Sequence, residues 1–248
     1  MKTMWSQIVS PWVDAGLYVI APSQCHSCKQ LLEHQEKWLC KSCLLQLQPA
    51  PEPKCTRCSA QVGPNIDTTN GCIYCKQDRF QFERVISYGF YQDKLKEVIL
   101  RIKHLEGEQL AQTMGSFLGL HISNTLQLKP DLITCIPVHW WKRLIKGHNQ
   151  TESIAKGVAE VLGVNFGSRI LRKVRFTPEQ SRLLPTERRK NLRRAFACTN
   201  HSLVRCKHIL LVDDVLTTGA TANNVAKVLV GAGAKSVIVA VLARSFGK

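Results

Sequence analysis

The sequence predicts an α/β protein, a mostly parallel sheet flanked by helices, preceded by a small cysteine-rich domain. Three observations carry that expectation. Eight of the eleven cysteines fall between residues 25 and 75. From Glu83 onward, short apolar runs of strand length alternate with longer stretches of helical periodicity. Hydrophobic residues make up 44% of the 248-residue chain and charged residues 21%, ordinary globular values that exclude disordered and fibrous classes. Two domains are expected, residues 1–82 and 83–248.

The cysteines come as four Cys-x-x-Cys pairs: Cys25/Cys28, Cys40/Cys43, Cys55/Cys58 and Cys72/Cys75. Eleven residues separate the first two pairs and thirteen the last two, and a proline-rich connector joins the copies, so the unit is an internal repeat. Two such knuckles supply four thiolates that close tetrahedrally around Zn²⁺, which lets a small domain fold without a large core. A redox Cys-x-x-Cys normally follows a strand of a thioredoxin-like unit, and four copies are not needed for it. Sequential pairing gives one or two separate structural zinc sites and alternating pairing an interleaved one; the repeat favours the sequential form. His26 and His34 read as solvated, and Cys135, Cys198 and Cys206 as buried thiols.

In the second half, Arg84–Tyr91 reads as a strand, and Asp93–Leu105 carries Leu95, Val98, Ile99 and Ile102 at helical spacing. A helix over Gln109–Leu128 and a short strand Asp131–Ile136 follow. The next helix starts at Asn149, with Glu152 completing a capping box and Ile154, Val158 and Val161 turned inward. The stretch from Arg169 to Arg194 is basic and weakly patterned. Ile209–Val212 is a buried strand, Ala220–Val230 a helix closed by Gly231 and Gly233, and Ser236–Ala243 a final strand. Alternating strands and helices place a ligand site at the carboxyl ends of the strands.

That position holds the most informative segment. An apolar strand delivers Asp213 and Asp214, and a small, hydroxyl-rich turn then opens a helix: Val215, Leu216, Thr217, Thr218, Gly219, Ala220 and Thr221. Small residues let the backbone approach a ligand, and amides at a helix N-terminus bind phosphate. Carboxylates repel phosphate, so this pair should face hydroxyls or a divalent cation. A sugar phosphate meets both requirements.

The segment resembles the phosphoribosyl pyrophosphate (PRPP) motif of type I phosphoribosyltransferases. The resemblance implies that Asp213 and Asp214 hold the ribose hydroxyls, that residues 217–221 hold the 5′-phosphate, and that Mg²⁺ accompanies PRPP. Residues 20–248 resemble the ComF family of competence proteins, GntX-type proteins included, which join a zinc-ribbon domain to a phosphoribosyltransferase-like one. Ile136 to Gln150 looks like that family's Pro-Val-His segment followed by Arg-Gly-Phe-Asn-Gln, with Lys146 and His148 replacing the usual Arg and Phe. By position this is the pyrophosphate loop, and Arg143 and Lys146 would serve the leaving group there. The resemblance also places a flap over the site within Arg175–Phe196.

The chain carries 34 Lys and Arg against 18 Asp and Glu, a formal charge of +16. Such an excess points to polyanionic partners. Residues 167–208 hold twelve of the cations and only two acids. A flap over a small ligand does not need that many, whereas a nucleic-acid backbone does. Arg188, Arg189, Lys190, Arg193 and Arg194 form the expected ridge for single-stranded DNA, with Trp140 and Trp141 as stacking platforms beside Lys142 and Arg143.

Three functions fit: a competence factor acting on incoming DNA, an ordinary phosphoribosyltransferase, or a catalytically silent binding module. The only Gly-Lys pair is Gly247-Lys248, so no Walker A loop is present and DNA movement would need a separate ATPase or helicase. The longest apolar run, Val237 to Ala243, has seven residues, too few for a membrane helix. Pro11, Asp14 and Gly16 interrupt what would be a signal-peptide core, so a cytoplasmic protein is expected.

Overall fold

The structure, a computed structural model, describes residues 24–33, 36, 38–104, 107–137, 149–174 and 195–246. Trp140, Trp141, Lys142, Arg143 and Lys146 lie outside the described residues, as do Arg188, Arg189, Lys190, Arg193, Arg194 and His34. The chain divides into two compact units, Met1–Gln48 and Pro49–Lys248. The expected boundary at 82/83 therefore falls inside the larger unit, which carries the second set of cysteines on the same body as the sheet.

In the first unit the described regular element is α1, Lys41–Gln46. The second unit holds β1 (Val85–Phe90), α2 (Asp93–Ile102), α3 (Glu108–Thr125), β2 (Leu132–Cys135), α4 (Gln150–Leu162), β3 (Leu171–Lys173), β4 (Phe196–Cys198), β5 (His208–Leu216), α5 (Ala220–Gly231) and β6 (Ser236–Arg244). Strands β1, β6, β5 and β2 form one sheet in that order, and every pairing is parallel. The apolar runs explain why: β1 is buried along its whole length, and Ile209 to Val212 of β5 are buried on both faces. Parallel register brings all four carboxyl ends to one edge. There Asp213 pairs with Val241, and Leu216 with Arg244.

Helix α2 buries the four residues its periodicity predicts. Helices α3 and α4 pack so closely that a Cβ on Gly115 would stand 2.1 Å from the Ile154 carbonyl oxygen, and one on Gly157 2.2 Å from that of Gln112. Val161, expected in the core, is instead 36% exposed. It lies against Gly119, where no side chain reaches back to enclose it. The capping box also differs from expectation. Asn149 occupies the N-cap without a side-chain bond, its Oδ1 is buried with no partner among the described residues, and Glu152 lies 3.8 Å from Lys156 Nζ.

The basic stretch begins with a strand its pattern does not show, β3, which pairs antiparallel with β4 just past the stretch's end. Three-residue strands are too short to announce themselves by alternation. Cys135 is buried as expected, Cys198 only partly, and Cys206 is exposed in a turn at φ 60° just ahead of β5. Among the described residues no helix is long and apolar enough to cross a membrane.

Candidate functional site

The cysteines gather sequentially, Cys25, Cys28, Cys40 and Cys43 in one tetrad and Cys55, Cys58, Cys72 and Cys75 in the other. In each tetrad all four sulfurs lie within 4.8 Å of one another. Measured separations are 3.6 Å for Cys28–Cys40, 3.6 Å for Cys58–Cys72 and 3.8 Å for Cys55–Cys75. Four sulfurs at Zn–S distances of about 2.3 Å stand about 3.8 Å apart in a tetrahedron, whereas a disulfide needs about 2.05 Å. Both sets fit a closed zinc site.

The repeat is structural as well as sequential. Cys25 N–H donates to the Gln30 carbonyl and Cys55 N–H to that of Ala60, each at 2.7 Å. Lys29 and Ser59 both take positive φ, at 66° and 57°. This turn aims backbone amides at the first sulfur of each knuckle. Burial alone would push the Cys25 thiol up, but amides of Cys28, Cys40 and Ser27 outweigh it and hold it at about 7. Cys55 behaves alike, with burial outweighed by the amides of Cys58, Arg57 and Cys72, and also sits at about 7. Chiefly through burial, Cys43 is pushed up to about 12 and Cys75 to about 11. A bound cation would override those differences by favouring thiolate throughout.

The carboxylate pair sits at the carboxyl end of β5, in a cavity of about 480 Å³ lined by Tyr91, Lys103, Asp213, Asp214, the loop that follows and Ser245. Asp213 Oδ1 accepts from the Asp214 N–H at 2.9 Å, and Asp214 Oδ1 from the Val215 N–H at 2.7 Å. Lys103 Nζ lies 3.7 Å from Asp214 Oδ2. Burial, and then the charge of Asp214, raise Asp213 well above the ordinary carboxylate range. A carboxyl poised in this way can accept from, or donate to, a hydroxyl.

The loop turns at Gly219, whose φ of 74° suits a residue without a side chain, and α5 begins at once. Thr218 Oγ1 accepts from the Ala220 N–H at 3.3 Å, so this hydroxyl organises the loop, while Thr217 and Thr221 line the cavity. At this end of α5 the Ala220 N–H is taken by Thr218 and the Asn223 N–H donates to the Gly219 carbonyl at 2.8 Å, so the loop and the first turn of the helix are tied together.

The sequence motif thus comes together as a cleft. Four further residues belong to it that sequence reasoning did not single out: Tyr91, Lys103, Ser245 and, beneath the loop, Arg244. Lys103 closes an amphipathic helix, where a terminal cation is commonplace. Arg244 ends an apolar strand and is only 5% exposed.

Residues 150–246 match the family model described as the phosphoribosyl transferase domain. The whole chain is similar to Competence protein F of Haemophilus influenzae, with 27% identity across 90% of this chain and 97% of that one. DNA utilization protein YhgH of Salmonella typhimurium is 27% identical across 90% and 98%. Competence protein ComFC of Streptococcus pneumoniae is 27% identical across 84% and 88%. Along most of its length the chain is similar to competence and DNA utilization proteins of this kind. Its organisation is a phosphoribosyltransferase-like parallel sheet accompanied by two cysteine tetrads suited to zinc.

Proposed function

We propose that this chain is a competence factor that binds PRPP with Mg²⁺ in the β5–α5 cleft and single-stranded DNA through its cationic residues. One observation carries the first part: two carboxylates at a strand end face the same cavity as a helix-opening loop of small and hydroxylated residues. The carboxylates Asp213 and Asp214 take the ribose hydroxyls, and the amides and hydroxyls of residues 217–221 take the 5′-phosphate. Mg²⁺, when bound, neutralises the pyrophosphate; the carboxylate pair is the donor set in the cleft that suits a hard cation. Lys103, now close to Asp214, is near enough to turn toward a phosphate once the carboxylate is engaged. The names of the relatives, which speak of competence and DNA utilization, support placing this chemistry in DNA uptake. A separate ATPase would move the DNA.

The DNA reading rests on the charge of residues 167–208. Arg169, Arg172 and Lys173 of that stretch line a second cavity beside Cys135 and Asn149. Arg188, Arg189, Lys190, Arg193 and Arg194 supply the remaining ridge. Calorimetry of PRPP with and without Mg²⁺, repeated in the presence of an oligonucleotide, tests both parts. Binding of PRPP that disappears in Asp213→Asn/Asp214→Asn is expected; no heat at millimolar PRPP sinks the sugar-phosphate reading. Single-stranded DNA affinity should fall with salt at a log–log slope of about 0.7 per phosphate contacted. Replacing Arg189 and Arg193 by alanine should flatten that slope by about one to two units, and a salt-independent affinity would remove the DNA reading.

A further inference from the structure

The phosphate loop poses a satisfaction problem. Its amides must face the ligand, so its carbonyls face inward, where a buried acceptor without a donor is costly. Arg244 supplies the donors. Register with Leu216 brings it under the loop, and its Nη1 donates to the Leu216 carbonyl at 3.0 Å and also to those of Thr217 and Ser245. Its Nε donates at 3.1 Å to the carbonyl of Cys58, a member of the second tetrad. The guanidinium lies over the Phe246 ring, 5.3 Å from the centroid, and Phe246 packs on the tetrad's own small core.

A second strut runs in parallel. Arg57 Nη1 donates at 3.1 Å to the Cys75 carbonyl, and its guanidinium lies 5.2 Å from the centroid of Phe80. Phe80 packs against the tetrad core, and its ring is 3.3 Å from where a Cβ on Gly219 would be. The next residue, Gln81, donates its N–H at 2.6 Å to Asn223 Oδ1 on α5, and Asn223 N–H in turn donates to the Gly219 carbonyl at 2.8 Å.

We infer that Arg244 is a positioning residue that couples the metal state of the Cys55/Cys58/Cys72/Cys75 tetrad to the shape of the phosphate loop, so that the second zinc site governs sugar-phosphate affinity. Closing four sulfurs around a metal fixes where the Cys58 carbonyl stands, which fixes the guanidinium, which fixes the Leu216 and Thr217 carbonyls and hence the amides on their far side. Coupling of this kind is reciprocal: whatever factor the metal adds to PRPP binding, PRPP adds to metal binding. The inference rests on the sugar-phosphate reading for its ligand, but the loop's response to the metal needs no ligand.

The experiment uses the full chain and three variants, Cys75→Ser, Arg244→Lys and the double. PRPP with Mg²⁺ is titrated by calorimetry, and hydrogen exchange is followed at the amides of residues 217–221 and, for comparison, of β2 and β5. Cys75→Ser should weaken PRPP by at least about tenfold, a moderate coupling, and speed exchange in the loop while β2 and β5 stay protected. Arg244→Lys keeps the charge but loses the fork, and should show the same two changes. The double variant should be no worse than either single one, because both cut the same connection. Additive losses, or unaltered loop exchange in Cys75→Ser, would overturn the inference. Loss of protection across β2 and β5 as well would also overturn it, since the metal would then be supporting the whole fold. Absence of PRPP binding in the parent chain strikes the sugar-phosphate reading instead, and the exchange comparison still decides whether the brace exists.

Discussion

The two cysteine tetrads share a motif, a knuckle turn and a pattern of amide donors, yet differ in what surrounds them. The first lies in the smaller unit and keeps Cys28 partly exposed, with Leu31, Trp38, Leu44 and Leu45 open to solvent. The second buries all four cysteines around its own small core with Ala60. Its Ser59 hydroxyl meets that of Ser87 on β1 at 2.7 Å, and its Cys58 carbonyl receives Arg244. A metal-binding motif thus specifies the metal and the local turn and nothing further. Whether the site is a free-standing clamp or part of a larger machine depends on the residues packed outside it.

The largest expected difference separates ligand losses in the two tetrads. Cys40→Ser should release one of two zinc ions and unfold residues of the first unit alone, leaving the sheet protected in hydrogen exchange. Cys58→Ser should also release one zinc but act on the larger unit, speeding amide exchange at residues 217–221 while β2 and β5 stay protected. Equal effects of the two substitutions on the larger unit would erase the distinction.

A smaller effect isolates the brace from the metal. Arg244→Ala leaves inward-facing carbonyls of Cys58, Leu216 and Thr217 without their donor and should cost about 3 kcal/mol in urea denaturation, with zinc content unchanged. A loss below about 0.5 kcal/mol, the range of ordinary surface substitutions, would mean that water replaces the guanidinium without penalty.

The smallest effect concerns the cleft above the brace. Asp213 is raised above the ordinary carboxylate value by burial and by Asp214. Its contribution to stability is therefore fully present below the unfolded-state value and is lost as pH rises through the folded one. Stability of the ligand-free chain should decline over that window above the ordinary carboxylate range, and Asp213→Asn should remove the decline. A pH profile identical to that of the parent would show that the carboxyl is well solvated.

Much of this could be read from the sequence because the signals are local. Asp213 to Thr221 are consecutive, so strand, carboxylates and phosphate loop announce themselves together, and the Cys-x-x-Cys spacing fixes the sulfur sets by proximity along the chain. Arg244 and Lys103 were not legible for the opposite reason. Each acts across more than twenty residues of sequence, through a register or a helix packing that no local pattern encodes. The attachment of the second tetrad to the sheet was hidden similarly, since Ser59, Phe80 and Phe246 are ordinary residues until folding sets them against Ser87, Gly219 and the cysteine core. Asn149 shows the limit of a short motif: the capping-box spacing is present, yet the buried side chain makes no bond to the helix amides.

The glycine contacts between α3 and α4 have a mechanical consequence. Two rods that touch backbone to backbone at Gly115 and Gly157 form a joint with little play. Sliding or rotating one would drive a carbonyl into its neighbour, and interiors this dense transmit strain rather than absorb it. The pair therefore acts as one stiff beam whose end is Asn149, at the wall of the cavity beside Cys135. A single added methyl group at Gly115 or Gly157 would wedge the beam open and carry the displacement along its length to that wall, roughly one to two turns away in a structure where each turn advances about 5.4 Å.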